Sequence, residues 1–200
     1  MTGPELRDRL HTALARPGGA ASDFDLNPDV MLPEGRKLRD AGVLIGVQWL
    51  DGAAQVVLTK RSSRLKHHPG QIAFPGGKVD AGDADVVDAA LREAEEEIGL
   101  PRARVDVLGA LPSHETVTGF QVTPVLGWID GPFDIRPRPD EVEEVFCAPL
   151  DHVINPSNFS VEGRRWRGTR RYYYTVPWGP YYIWGATARM LRALADRMQA

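Results

Sequence analysis

The stretch from Gly76 to Leu100 constrains this chain more than any other part of the sequence. Two glycines open a turn, polar and acidic residues follow, and a helical pattern begins at about Asp85. At about 100° per residue, one arc of this helix is apolar and the neighbouring arc is acidic. The apolar arc holds Val87, Ala90, Leu91, Ala94 and Ile98, and the acidic arc holds Asp85, Glu93, Glu96 and Glu97. The sequence therefore predicts a helix with a core face and an acid face.

The acid face indicates a metal site. Glu93, Glu96 and Glu97 are three and four residues apart, where like charges repel by about 0.2–0.5 kcal/mol per pair. They lie near the C-terminal end of the helix, where the helix dipole disfavours negative charge. Carboxylate oxygens are ligands for hard cations such as Mg2+ or Mn2+. The pattern favours a site for such a cation, with a solvated acidic helix face as the alternative.

The same residues carry a family resemblance. Residues 92–100 read REAEEEIGL, which resembles the second half of the Nudix box, R-E-U-x-E-E-x-G-U with U aliphatic. In the first half of the box, Gly77 is followed by Asp83 where most of the superfamily has Glu, and eight rather than seven residues separate Asp83 from Arg92. The same Asp and the same extra residue resemble the variant found in Nudix enzymes that hydrolyse coenzyme A.

A basic loop precedes the glycines. Its cations are Lys60, Arg61, Arg64, Lys66, His67 and His68. Arg and Lys donate charged hydrogen bonds to phosphate, and glycine permits close approach of the backbone. The loop resembles a second signature of the coenzyme A Nudix hydrolases, L-L-T-x-R-S/A-x3-R-x3-G-x3-F-P-G-G, with Val57 for the first Leu and Lys66 for the second Arg. A solvated surface loop is the alternative reading, and Lys66 lacks the bidentate fork of Arg.

The resemblance implies a fold and an activity. The fold class is α/β (α+β), the Nudix fold, in which a mixed sheet is sandwiched between helices. The activity is metal-dependent hydrolysis of a nucleoside diphosphate linked to another group. For this subgroup the substrate is coenzyme A, cleaved to 3′,5′-ADP and 4′-phosphopantetheine. The alternatives are a Nudix pyrophosphatase for ADP-ribose, dinucleotide polyphosphates or NADH, and a nucleotide-binding module without catalysis.

The resemblance also implies roles for individual residues. Glu93 and Glu97 are expected to bind the metal, and Glu96 to act as a third ligand or as the general base. Gly77 is expected to offer a backbone carbonyl to the metal, and Arg92 to orient a carboxylate. The residues expected to bind the phosphates of the substrate are Lys60, Arg61, Arg64 and Lys66. A further carboxylate for the site is sought among Asp140, Glu141, Glu143 and Glu144, which alternatively protect a strand edge.

Composition and charge limit the classes of partner and the cellular compartment that fit this chain. A net charge of −3 gives no general attraction to nucleic acid. Cys147 is the single cysteine, which excludes an internal disulfide and fits a reducing compartment. The longest apolar run, Val43–Leu50, is too short to span a bilayer. The sequence therefore predicts a cytoplasmic protein that acts on a small nucleotide without membrane or nucleic-acid partners, and it leaves a homodimer open.

The chain divides at residue 35. Residues 1–35 are predicted to form an N-terminal helix, at Pro4–Ala15, followed by an irregular arm, and residues 36–200 to form the Nudix domain. Within the domain, Asp51 and Gly52 join two apolar runs and predict a hairpin.

The remaining elements follow from local patterns. Strands are predicted at Val105–Leu111 and at Phe120–Ile129, the second interrupted by Pro124, with a polar loop at Ser113–Gly119 between them. The basic and aromatic stretch Arg164–Trp184 is predicted either to stack on a base or to form a hairpin with core aromatics. An amphipathic helix at Gly185–Met198 closes the chain.

Overall fold

The computed structural model describes residues 1–30, 35–166 and 168–199, so residues 31–34 of the predicted arm lie outside the described part of the chain. The helices are α1 (Gly3–Leu14), α2 (Val86–Ile98), α3 (Leu150–Val153) and α4 (Gly185–Gln199). The strands are β1 (Ala21–Ser22), β2 (Arg39–Leu50), β3 (Ala53–Arg61), β4 (Ile72–Ala73), β5 (Gly76–Lys78), β6 (Val105–Ala110), β7 (His114–Glu115), β8 (Phe120–Ile129), β9 (Val142–Pro149), β10 (Ser160–Trp166) and β11 (Thr169–Thr175).

Strand β2 is the centre of a mixed sheet. It pairs antiparallel with β3 and β5 and parallel with β8. The hairpin between β2 and β3 is confirmed, because Asp51 and Gly52 both have positive φ angles, 51° and 78°. That combination is the one a two-residue hairpin turn needs. The order of strands along the main path of the sheet is β1-β7-β8-β2-β3-β4, with β6 on β8 and β9 on β3.

Two expectations around β8 are wrong. Pro124 does not interrupt the strand, which runs unbroken from Phe120 to Ile129 beside β2. On its other side, β8 pairs with β6 between Val125 and Ile129 and with β7 at Gln121 and Val122. Pro124 falls in the gap between these two ladders, so its missing N–H costs no ladder bond on that side. The predicted polar loop contains β7, which also pairs in parallel with β1 of the N-terminal arm.

Each face of the sheet carries its own core. On one face, α2 packs Ala90, Ala94 and Ile98 against a group that includes Leu44 and Val125. On the other face, the core contains buried side chains of α1 and α4 together with those of the sheet. These include Leu6, Leu10, Ile45, Leu58, Leu126, Leu191 and Leu194. The predicted sheet sandwiched between helices is confirmed.

The aromatic stretch before α4 forms a hairpin and a turn. Strands β10 and β11 pair antiparallel, and Tyr181 stacks on the buried Phe146 of β9 with ring centroids 3.5 Å apart. Trp178 lies beside the same pair, with its ring centroid 5.9 Å from that of Tyr181. These aromatic rings therefore pack on the core.

Among the described residues, no helix has both the length and the apolar character needed to cross a membrane.

Candidate active site

Helix α2 is placed by strong signals at both ends. Asp85 caps its N-terminus, and one carboxylate oxygen accepts from the N–H groups of Val87 and Asp88 at 2.8 and 2.9 Å. Asp85 is thus a capping residue and not a member of the acid face, because its backbone is extended and lies outside the helix. Gly99 ends the helix in the left-handed conformation, with φ of 74°.

Three carboxylates converge at the C-terminal half of α2. Glu93, Glu97 and Glu141 each place an oxygen within 4.8 Å of the others. Glu97 is only 4% exposed, and its Oε2 accepts a hydrogen bond from the N–H of Gly76 at 3.1 Å. The side chain of Glu93 is 14% exposed. The structure therefore brings two of the predicted metal ligands together and adds a third acid.

The electrostatics of this cluster fit a cation. Burial raises the pKa of Glu97 to about 7, and the neighbouring carboxylates of Glu93 and Glu141 raise it further against the hydrogen bond from Gly76. Burial likewise raises the pKa of Glu93. Such shifts mean that ionising the carboxylates is costly in the metal-free protein. A hard divalent cation among three oxygen donors would remove that cost, so these residues fit Mg2+ or Mn2+.

Glu141 is delivered by the segment that precedes β9. The N–H groups of Arg136 and Arg138 donate to the carbonyls of Ile98 and Glu97 at the end of α2, both at 2.9 Å. These bonds hold the segment against the acid face. The sequence predicted a further carboxylate among Asp140, Glu141, Glu143 and Glu144 but did not identify which of them it is. Glu141 is the one that reaches the cluster, because the segment before β9 is docked on the end of α2.

Arg92 joins the helix to the loop before it. Its guanidinium donates to both oxygens of Asp83, at 2.8 and 3.0 Å, and to Oε1 of Glu93 at 3.0 Å. Asp83 also accepts from the N–H of Asp80 at 2.8 Å, so it closes the loop. The hydrogen bonds from Arg92 are the main cause that lowers the pKa of Asp83 to about 2. Because Asp83 holds the Arg92 guanidinium in place, Arg92 can orient the carboxylate of Glu93.

Glu96 lies outside the carboxylate cluster. Its side chain is 44% exposed and sits between Arg92, at 3.5 Å, and Arg138, at 3.6 Å. Two guanidinium groups thus hold one carboxylate at the solvent-facing edge of the site. Glu96 is available to a water or a ligand from solvent, whereas Glu97 is enclosed.

The glycines of β5 make room for the acids. A Cβ added to Gly77 would lie 2.4 Å from Oε1 of Glu93, so the carboxylate occupies the space of the absent side chain. Gly42 of β2, opposite Gly77 in the sheet, allows α2 to approach in the same way. There a Cβ would lie 2.0 Å from the carbonyl oxygen of Val86.

The predicted phosphate-binding residues are arranged unequally. Lys60 is engaged by Glu143 at 2.7 Å, and this hydrogen bond raises the pKa of Lys60. Arg61 pairs with Val142, next to Glu141, and its charge opposes the rise in the pKa of Glu97. Arg64 and Lys66 are exposed beyond the end of β3. The structure thus brings Arg61 to the carboxylate cluster and leaves Arg64 and Lys66 at the surface.

The amino-acid sequence matches a known domain over most of the chain. The family model of the NUDIX domain matches residues 41–168, which include most of β2, the basic loop, α2 and the segment carrying Glu141. The chain belongs to the Nudix family.

Individual relatives agree with the Nudix assignment. The chain is 42% identical over 157 residues to "Uncharacterized Nudix hydrolase NudL" of Citrobacter koseri, covering 78% of this chain and 81% of that protein. The protein of the same name from Salmonella paratyphi B is 41% identical over 174 residues, covering 87% and 90%.

A solved structure shows the same Nudix fold. The C. elegans Ap4A hydrolase binary complex superposes with a TM-score of 0.50 at 22% identity, over 57% of this chain and 83% of that one. At this identity the likeness extends to the fold alone.

Proposed function

We propose that the protein is a Mg2+- or Mn2+-dependent diphosphatase that hydrolyses coenzyme A to 3′,5′-ADP and 4′-phosphopantetheine. The convergence of Glu93, Glu97 and Glu141 within 4.8 Å carries the metal-dependent part of this proposal. Nudix hydrolases act on pyrophosphate bonds and generally use divalent metals such as Mg2+ or Mn2+. The choice of coenzyme A is supported by the resemblance of residues 57–77 to the coenzyme A signature and by Asp83 in the box.

The carboxylate cluster would hold the cation. Glu93, Glu97 and Glu141 are the proposed carboxylate ligands, and the backbone carbonyl of Gly77 is a further proposed ligand. When bound, the cation withdraws charge from the pyrophosphate oxygens and acidifies water. The buried Glu97 keeps its carboxylate in place through the N–H of Gly76.

Glu96 is the proposed general base. It would accept a proton from the water that attacks phosphorus, while the bond between that phosphorus and the bridging oxygen breaks. Arg92 and Arg138 hold the Glu96 carboxylate, and the exposure of its side chain leaves it reachable by water. The alternative role of Glu96, as a metal ligand, predicts a different response to mutation.

Glu96→Gln separates the two roles. As a general base, Glu96 contributes to kcat, which we expect to fall by about 10²–10⁴-fold in the variant. The Mn2+ dissociation constant, measured by paramagnetic relaxation of water, should change little. A large rise in that constant would instead make Glu96 a ligand and overturn its assignment as the base.

The basic loop would bind the phosphates of the substrate. Lys60 and Arg61 are the last residues of β3, and Arg64 and Lys66 follow in the loop beyond it. Arg61 pairs with Val142, next to Glu141 of the carboxylate cluster. Lys60 must exchange its partner Glu143 for a phosphate oxygen, and charged hydrogen bonds of this kind are favourable in both pairs. A cytoplasmic location completes the proposal and is supported by the single cysteine.

A substrate panel tests the proposal. Coenzyme A, ADP-ribose, a dinucleotide polyphosphate and NADH are compared by kcat/KM with Mg2+, with Mn2+ and with chelator. We expect coenzyme A to be preferred, chelator to abolish turnover, and cleavage in 18O-labelled water to place the label on one phosphate product. Preference for ADP-ribose would overturn the choice of coenzyme A, and absence of turnover on every substrate would overturn hydrolysis itself.

A further inference from the structure

A cleft lies on the face of the sheet opposite α2. It has a volume of about 380 Å3 and lies between the loop that follows α1 and one side of α4. Its charged lining residues are Arg16, Arg189, Asp196 and Arg197, and Gly18 and Gly19 lie among the others. None of them belongs to α2, β5 or the segment that carries Glu141, so the cleft is separate from the carboxylate cluster.

Arg197 is the central group of this cleft. Arg197 is only 7% exposed, and its Nη1 atom donates to the carbonyl of Ala193 at 3.2 Å. The Nε atom is buried and has no hydrogen-bond partner among the described residues. A buried donor without a partner is unfavourable, and more so in a charged group. The hydrogen bonding of the Arg197 guanidinium is therefore incomplete among the described residues.

The loop after α1 is shaped around this guanidinium. A Cβ on Gly18 would lie 2.1 Å from Nη2 of Arg197, so only glycine allows the backbone to approach so closely. Arg16 reaches across the cleft and donates from Nη1 to the backbone carbonyl of Arg197. Arg16 and Arg197 thus line the same cleft, and the hydrogen bond from Arg16 connects the loop after α1 to α4.

The acids near the cleft are already paired with other cations. Asp196 accepts from Arg192 at 2.8 Å, and Asp25 accepts from Arg189 at 2.9 Å. Within residues 1–30, 35–166 and 168–199, no carboxylate lies within 4.0 Å of the guanidinium of Arg16 or Arg197. Among the described residues, the guanidinium groups of Arg16 and Arg197 therefore share the cleft without a carboxylate partner, in a protein whose net charge is −3.

We propose that this cleft binds a phosphate group, either as inorganic phosphate or as the end of a phosphomonoester. A phosphate near neutral pH carries about 1.5–2 negative charges, which matches two guanidinium groups better than a carboxylate does. The planar fork of Arg suits phosphate oxygens, and the unpaired Nε of Arg197 supplies a donor. Binding there would join the α1 loop to α4 without any part in the cleavage reaction.

Nuclear magnetic resonance of the full chain tests the proposal. The 15N-labelled protein is kept in chelator at constant ionic strength, so that no metal at the carboxylate cluster recruits phosphate. Inorganic phosphate, adenosine 5′-monophosphate and acetate are titrated separately, and the Nε–H signal of Arg197 and the amide signal of Gly18 are followed. We expect saturable shifts with a phosphate compound and weaker ones with acetate. The phosphate compound that binds more tightly identifies the natural class of ligand.

Three variants locate the effect. Arg16→Gln and Arg197→Gln should each weaken phosphate binding by about tenfold or more, because each removes one charged donor. Arg9→Gln is the matched control, since it removes an exposed cation from α1 outside the cleft, and it should change the affinity by less than about twofold. Arg16→Gln leaves the buried guanidinium in place, so it remains informative if Arg197→Gln fails to fold.

Three results would overturn the proposal. They are the absence of a saturable shift in the wild-type protein, an equal response of the wild type and all three variants, and binding of acetate as tight as that of the phosphate compounds.

Discussion

Glu97 places a negative charge where only 4% of the residue reaches solvent. The N–H of Gly76 is a single neutral donor, and it does not offset the loss of hydration and the repulsion from Glu93 and Glu141. The residue thus lowers the stability of the metal-free protein while it prepares a ligand for the cation. This conflict between stability and function is concentrated in one side chain.

Replacement of Glu97 by Gln should therefore have opposite effects on stability and activity. The pKa of Glu97 rises from 4.5 in the unfolded chain to about 7 in the folded one, so ionisation destabilises the folded protein increasingly between these values. In chelator, Glu97→Gln should be more stable than wild type at about pH 8, by at most about 3 kcal/mol, and the gain should vanish below about pH 4.5. Activity with Mg2+ should be nearly lost.

Urea denaturation at several pH values measures the stability difference. Glu96→Gln is the control, because it makes the same substitution on the same helix at an exposed side chain. A Glu97→Gln variant that is no more stable than wild type at about pH 8 would contradict the assigned burial cost. Wild-type turnover by the same variant would contradict its role as a ligand.

Gly77 has a role that depends on its missing side chain. Gly77→Ala would place a Cβ 2.4 Å from Oε1 of Glu93 and displace that carboxylate. Because misplacement by about 1 Å can cost about 10²-fold in rate, kcat/KM should fall by about that factor. Gly82→Ala is the matched control in the following loop, where a Cβ meets no atom within 4 Å. Equal activity of the two variants would remove Gly77 from the site.

Helix α2 and the segment before β9 act together at the scale of elements. The helix is specified locally, by its cap at Asp85, its apolar arc and its end at Gly99. The segment has no regular structure of its own and is held by hydrogen bonds to the last carbonyls of the helix. The end of the helix therefore satisfies its backbone groups with the same contacts that bring Glu141 into place.

Gly99→Ala should disturb both elements. The residue has φ of 74°, and an added Cβ would lie 3.0 Å from Cβ of Arg136, so strain in the backbone adds to a clash with the docked segment. We expect a loss of about 1–2 kcal/mol in the free energy of unfolding from the backbone alone, and a lower kcat through Glu141. Gly119→Ala is the control, because its φ of 83° imposes similar strain without a neighbour within 4 Å. If both variants keep full activity, the segment does not position Glu141.

The N-terminal helix is part of the main core at the scale of the molecule. Leu6 and Leu10 of α1 are 2% and 0% exposed and belong to the cluster that includes Leu191 and Leu194 of α4. Strand β1 pairs with β7 at the edge of the sheet. The division of the chain at residue 35 stays a prediction.

Leu10→Ala measures how far α1 and the sheet unfold together. Removal of a fully buried leucine costs about 2–5 kcal/mol, and the loss should appear as one shifted transition followed by both circular dichroism and tryptophan fluorescence. Val117→Ala, at a side chain 44% exposed, should change the stability by less than about 0.5 kcal/mol. Two separate transitions would indicate that α1 unfolds as an independent unit.

Features that depend on short stretches of chain could be predicted from the amino-acid sequence. The turn at Asp51 and Gly52, the helix beginning after Asp85 and the apolar arc ending at Ile98 each follow from steric and hydrogen-bonding preferences of neighbouring residues. The resemblance of residues 92–100 to the Nudix box then predicted the layered fold. Pro124 was misjudged because its cost depends on whether a partner strand needs its N–H, which no local pattern records.

Which acids share a site depends on the folded arrangement of the chain. Glu93, Glu96 and Glu97 look alike in the sequence, yet packing against Gly76 and Gly77 buries Glu97 while two arginines hold Glu96 at the surface. Glu141 joins them through contacts that span more than forty residues of chain. Local preferences specify the backbone of an element, whereas burial and charge depend on its neighbours in space. The surroundings of each carboxylate were therefore set only when the sheet, the helix and the docked segment came together.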